Sequence, residues 1–302
     1  MLANMGFDVW VGNNRGTRYS KKGSDRPGYW NFSFDELAKY DVPALVDNIL
    51  NLTGRKKLIY VGHSQGSTQL VARLTEDLNF AAKIALNVGL GTVVTLHTYS
   101  DDCILRLFEK VPILQLLKWL GFKTMLSIPA WLVRCVAILT YNTEFYPTAG
   151  LYVIHFVCGF PKKGQSNIKR DRLGVIFSHE PGGSSINNVI QWYHLFSFRL
   201  HTSFEKQLGK FDHGRQQNLK LYGREKPPRY QLESLKDCRF PTLLFRGTID
   251  SVVSETDFEG LAAKFPAELT RSVHIEDYHH LDYVWADSAH SLVYPEILKA
   301  AV

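Results

Sequence analysis

An α/β fold with a mostly parallel sheet flanked by helices and one long helical insertion is what this sequence predicts. Three observations carry that expectation. Short apolar runs bounded by turn-forming residues alternate with stretches of helical periodicity over roughly the first hundred residues, the alternation that builds parallel sheets. The same strand-then-helix signature reappears near residue 241. Residues 99–237, between the two blocks, have a different character, rich in aromatic and helical patterns and without repeats or low-complexity tracts.

Taken in order, Phe7 to Gly12 is an apolar and aromatic run that ends in Asn13-Asn14-Arg15-Gly16, a loop-forming cluster, and it predicts a first strand. Phe34 to Asn51 predicts a helix: Leu37, Tyr40, Leu45 and Ile49 recur at helical spacing, and Asp35 and Glu36 suit its first turn. Lys57 to Gly62 follows as a buried strand, then a helix through Leu70, Val71 and Leu74, then a strand within Lys83 to Val94. After the insertion, Pro241 to Phe245 predicts a strand, a helix surrounds Leu261, and Leu269 to Ile275 predicts the last strand. Residues 1–98 and 238–302 therefore form one core, and 99–237 form a cap over the C-terminal edge of the sheet, where open α/β sheets bind ligands.

At 302 residues the chain can bury a full core without a second domain. Hydrophobic residues make up 45% and charged residues 21%, which excludes the disordered class. The formal charge of +6 comes from scattered Lys and Arg with no basic block, so no nucleic-acid footprint is present. The longest apolar run, Met125 to Tyr141, contains Pro129 and Arg134 and is too broken for a membrane span. Met1 to Trp10 lacks the basic start and small-residue cleavage site of a secretory signal. Cys103, Cys135, Cys158 and Cys238 have neither metal-ligand spacing nor the density of a disulfide scaffold. Two sequons, Asn31-Phe32-Ser33 and Asn51-Leu52-Thr53, are glycosylation candidates if the chain follows the secretory route.

The segment with chemical meaning is Gly62-His63-Ser64-Gln65-Gly66, which follows a predicted strand and precedes a predicted helix. That context is what a nucleophile elbow of the α/β-hydrolase class requires. The turn strains the serine and lifts its hydroxyl above the sheet, while the flanking Gly62 and Gly66 let strand and helix approach. Gln65 N–H, opening the helix, points where a tetrahedral oxyanion would form. A serine hydroxyl is a weak nucleophile, so an imidazole must take its proton and a carboxylate must orient that imidazole. In this class the chain order is Ser, then Asp, then His. Asp250 follows the strand ending at Phe245 across a loop containing Gly247, with Asp257 as rival. Of His274, His279, His280 and His290, His280 is favoured because it sits in the loop after the last strand and an apolar pattern resumes behind it; His279 is its rival.

With these residues in view, the chain resembles the gastric and lysosomal acid lipases of animals over nearly its whole length. The matching segments are GFDVWVGNNRGTRYS, YWNFSFDELAKYDVPALVDNIL, IYVGHSQG and YHHLDYVWA, with SHEPGGSSINNVIQW in the insertion. The resemblance implies Ser64, Asp250 and His280 as triad, with Asp250 preferred to Asp257 because Gly247 to Phe258 matches the family's acid loop, and Gln65 as one oxyanion donor. It implies hydrolysis of neutral-lipid esters, triacylglycerols or cholesteryl esters, at a lipid–water interface, without metal or organic cofactor, by a secreted or lysosomal glycoprotein. It raises Asn51 above Asn31 as the glycosylated position. It also makes Met125 to Tyr141 the candidate for part of a mobile lid. Cys158 matches a family cysteine, but Cys135 alone cannot complete the disulfide expected just before it.

The start of the chain departs from the family. Met1 aligns within the family pattern, so by resemblance the chain is expected to be truncated, with the family's signal peptide, first strands and His-Gly segment carrying a second oxyanion N–H missing from it. One of those strands would lie between Phe7–Gly12 and Lys57–Gly62, so the sheet is expected to close up or to leave edges unpaired. Three functional readings follow: a lipid esterase, a carboxylesterase acting on small esters, and a non-catalytic lipase-like product that at most binds lipid.

Overall fold

The computed structural model describes residues 2–95, 113–125, 131–132, 135, 138, 167–180, 182–196 and 207–301. Four strands, β1 (Leu58–His63), β2 (Ile84–Leu90), β5 (Thr242–Gly247) and β6 (Thr270–Ile275), make one parallel sheet in the order β1-β2-β5-β6. Two short strands of the insertion, β3 (Thr124–Met125) and β4 (Ser184–Ser185), pair antiparallel. The expected α/β-hydrolase architecture is thus present, with the β1 and β2 steps, the long excursion and the return at β5.

The sheet is apolar on both faces because helices cover both. Leu86, Val88, Leu90, Leu243 and Phe245 pack on one side with Tyr283, Val293 and Ile297. Leu244 points to the other side, with Leu70, Val71 and Leu74 of helix Gln65–Glu76 and Phe258 and Leu261 of helix Glu255–Ala262. Phe245 is fully buried, worth about 1.5–3 kcal/mol for a side chain of that kind.

The long helix before β1 has a break that its sequence explains. Ser33 starts it: its hydroxyl accepts the Asp35 N–H, and the Glu36 carboxylate takes the Ser33 N–H at 2.6 Å. Residues Phe34–Glu36 run into a π-turn, Leu37–Asp41, and then into Val42–Thr53. Pro43 has no N–H to return one turn back, and the helix widens just before it so that Val42 N–H reaches Leu37 O. Gly54 ends it in the left-handed conformation, φ 68°.

One predicted strand does not form. Among the described residues, Phe7 to Gly12 has no ladder partner, and it is mostly exposed. Phe7, Val9, Trp10 and Gly12 line a cleft of about 1030 Å³ together with Tyr60 and Val61 of β1 and Leu45 and Ile49 of the preceding helix. The segment contributes to the lining of this cleft and joins no ladder with the described strands, so its apolar pattern does not become a strand. The outer edge of β1 has no strand partner among the described residues, and Val61 there is 43% exposed.

Of the cysteines, Cys135 is an exposed free thiol and Cys238 a buried one; Cys103 and Cys158 lie outside the described residues. The lid candidate Met125 to Tyr141 also falls mostly outside them. No described helix is long and apolar enough to cross a membrane.

Candidate active site

The site stands at the C-terminal ends of β1, β5 and β6. Ser64 follows β1 at φ 49° and ψ −120°, one of two non-glycine residues with positive φ among those described. Such a conformation is costly and persists only where its surroundings enforce it. Three hydrogen bonds do so: Ser64 N–H donates to Leu90 O of β2 at 2.9 Å, and Ser67 and Thr68 N–H each return to Ser64 O at 3.1 Å. The turn needs a glycine at Gly62, where an added Cβ would lie 2.5 Å from the Ser67 backbone. Gly66 differs from expectation. A Cβ there would meet nothing within 4 Å, so close packing of strand and helix does not depend on it.

Two remote segments reach Ser64. The loop after β6 brings His280 Nε2 to 2.8 Å from Ser64 Oγ, and the loop after β5 brings Asp250 Oδ2 to 3.0 Å from His280 Nδ1. These loops are locked together because Gly247 lies against Tyr278, whose carbonyl oxygen would be 2.1 Å from an added Cβ. A carboxylate can only accept, so Nδ1 of His280 carries the hydrogen and Nε2 turns its lone pair toward the serine hydroxyl. Asp250 is fully enclosed. Its Oδ1 accepts Val252 and Val253 N–H at 2.9 and 3.0 Å, and its Oδ2 also accepts the Tyr283 hydroxyl at 3.2 Å. Burial pushes its pKa up, but the His280 charge and hydrogen bond and the two backbone donors outweigh that and hold it below 3.8.

The rivals sit elsewhere. Asp257 accepts the Ser254 hydroxyl at 2.6 Å at the head of helix Glu255–Ala262. His279 is buried, with its backbone N–H on Asp282, while His274 is directed at Glu255 and His290 at the Asp287 carbonyl. None of these reaches Ser64.

Three sets of contacts are not foreshadowed in the sequence: those of Tyr283, of the His63 ring and of the Gln65 side chain. Tyr283, one helical turn beyond His280, accepts Gly247 N–H at 2.5 Å while donating to Asp250. Its position three residues after a histidine on a resuming apolar pattern was the available signal. His63, identified only as an elbow residue, donates Nε2–H to His280 O at 2.6 Å. Burial first, and the neighbouring His280 charge second, lower its pKa to about 4, so the ring stays neutral. Gln65 opens helix Gln65–Glu76, where first-turn N–H groups have no acceptor within the helix. Its side chain Oε1 accepts Asn188 Nδ2 at 2.9 Å and Trp192 Nε1 at 2.5 Å, both from helix Ile186–Phe196 of the insertion.

Chemically, the constellation can pass a proton from a serine hydroxyl to an imidazole held by an ionised carboxylate. Among the described residues no group of three or more His, Cys, Asp or Glu is placed to hold a metal ion.

Residues 2–102 match the α/β-hydrolase fold family model. Over 99% of its length the chain is 32% identical to a lysosomal acid lipase/cholesteryl ester hydrolase of Rattus norvegicus, covering 72% of that protein. It is likewise 31% identical to lipase member K of Mus musculus and 32% identical to the gastric triacylglycerol lipase of Homo sapiens, with 99% of this chain and 72% of each relative covered. The chain therefore belongs to the acid lipase family.

Proposed function

We propose that this chain hydrolyses carboxylic esters of neutral lipids through an acyl-enzyme on Ser64. The observation that carries the reading is the hydrogen-bonded series from Ser64 through His280 to Asp250, mounted on a strained turn. Ser64 Oγ attacks the ester carbonyl while His280 Nε2 takes its proton. Gln65 N–H receives the developing oxyanion. Collapse expels the alcohol, which leaves with the proton from Nε2, and the acyl group stays on Ser64. Water then attacks the acyl carbon, giving a proton to His280, and the carboxylic acid departs as Ser64 recovers its hydrogen. Asp250 remains ionised throughout and stabilises the imidazolium.

A lipid substrate is favoured over a small soluble ester by the side chains the insertion exposes. Trp119 is 80% exposed, and Leu120, Phe122 and Trp131 are each more than half exposed. Exposed aromatics and aliphatics of this kind suit contact with a lipid surface. In this reading residues 99–237 are the cap and 1–98 with 238–302 the hydrolase core. The names of the relatives, lysosomal and gastric, support a secreted or lysosomal protein. Asn51 and Asn31 are both exposed and available for glycosylation.

The test is hydrolysis of a triacylglycerol emulsion, a cholesteryl ester and a monomeric short-chain ester by the wild type and Ser64→Ala. Wild-type turnover favouring the dispersed lipids, with a loss of about 10⁴-fold or more in the variant, is expected. Full activity in Ser64→Ala would refute the nucleophile. Preference for the monomeric ester would move the protein to the carboxylesterases, and no turnover of any ester would make it a non-catalytic lipase-like protein.

A further inference from the structure

The contact between the insertion and the nucleophile turn is more specific than packing requires. Asn188 and Trp192 lie four residues apart, on one face of helix Ile186–Phe196. Both donate to one atom, Oε1 of Gln65, filling the two acceptor positions of an amide oxygen. An indole nitrogen only donates, so this contact also fixes which end of the Gln65 carboxamide faces the insertion. The donors are themselves held. Asn188 Nδ2 also donates to Ser184 Oγ at 3.0 Å, and Asn188 N–H donates to Ser185 Oγ at 3.1 Å. The fully buried Ser185 hydroxyl in turn donates to Phe32 O. The Trp192 ring meets the buried Phe34 edge-on, with centroids 5.5 Å apart.

Gln65 follows Ser64, the strained residue, and begins a helix. The orientation of the peptide unit between them decides where Gln65 N–H points. We propose that Asn188 and Trp192 are positioning residues for ester hydrolysis: by holding the Gln65 side chain they keep its backbone N–H directed at the oxyanion. The inference rests on the hydrolase reading above. It makes the insertion part of the oxyanion site as well as a cover over the sheet. Donors to a developing oxyanion act through direction and distance, and a small misplacement costs rate without costing ground-state affinity.

Trp192→Phe removes the indole N–H and keeps a ring against Phe34. Gln65→Met removes the acceptor and keeps the backbone N–H. Each is expected to lower kcat about 10- to 100-fold on a monomeric ester with KM nearly unchanged. Affinity for an alkylboronic acid, which forms a tetrahedral adduct on an activated serine, should fall by the same factor. Because both changes act through one contact, the double variant should lose no more than the worse single variant. A purely structural tie between insertion and core would lower thermal stability and leave kcat and boronate affinity in place. Wild-type kcat in Gln65→Met or Trp192→Phe, or losses that multiply in the double variant, would overturn the inference while leaving the hydrolase reading intact. A wild type without Ser64-dependent turnover would overturn the hydrolase reading and this inference with it.

Discussion

Two glycines of the elbow look equivalent in the sequence and are not equivalent in space. Gly62→Ala would drive a Cβ into the Ser67 backbone at 2.5 Å, whereas Gly66→Ala enters open space. Gly62→Ala is expected to lower unfolding free energy by roughly 1–3 kcal/mol and to disturb Ser64, while Gly66→Ala should stay near wild type; chemical denaturation measures both. His63 offers a second test. Its pKa is 6.5 when unfolded and about 4 when folded, so between those values the unfolded chain binds a proton that the folded chain refuses. Stability should decline as pH falls from about 6.5 and level off near 4 for this group. His63→Gln, which keeps an N–H for the His280 carbonyl, should flatten that part of the pH–stability curve; an unchanged slope would contradict it. The turn at Ser64 was legible because strand, turn and helix are local in sequence, and the candidates Asp250 and His280, which the fold brings to it, because chain order limits the choice. The His63 latch and the Gln65 clamp were not legible, since they join positions 217, 123 and 127 residues apart and nothing local marks them.

At the scale of elements, the helix that precedes β1 is tied to the insertion by one carboxylate. Asp35 accepts Gln191 Nε2 at 2.8 Å, Phe211 N–H at 2.9 Å and the Tyr230 hydroxyl at 2.5 Å. Burial first, and the Asp35 charge and hydrogen bond with it, push the Tyr230 pKa well above 10 and keep its hydroxyl a donor. Asp35→Ala leaves three donors unsatisfied and should destabilise the fold by about 3 kcal/mol or more, read as a fall in the thermal midpoint; an unchanged midpoint would show that these contacts do not couple the elements. The same scale explains where sequence reading failed. Periodicity reports which residues could form a strand, and β1, β2, β5 and β6 each appear within a few residues of their expected bounds. Pairing depends on a neighbour, and Phe7–Gly12 has the composition of a strand but faces a cleft instead of a ladder.

For the molecule as a whole, the sheet ends at β1, whose outer edge has no strand partner among the described residues and borders that cleft. Exposed edges invite pairing between chains unless charge interrupts them. Light scattering should therefore rise with concentration, and Val61→Lys on the exposed edge should reduce it; a concentration-independent monomer would contradict the prediction. The fold otherwise delivers Ser64, Asp250 and His280 to one place from the ends of three strands, with the insertion gripping the elbow through Gln65.

The most direct measurement is labelling of the whole chain by a fluorescent alkylphosphonate, followed by mass spectrometry of the modified peptide. One adduct is expected, on Ser64, lost in Ser64→Ala and slowed by at least about 100-fold in His280→Ala. A folded wild type that takes no label, or label on another residue, would contradict the assignment of Ser64 as an activated nucleophile.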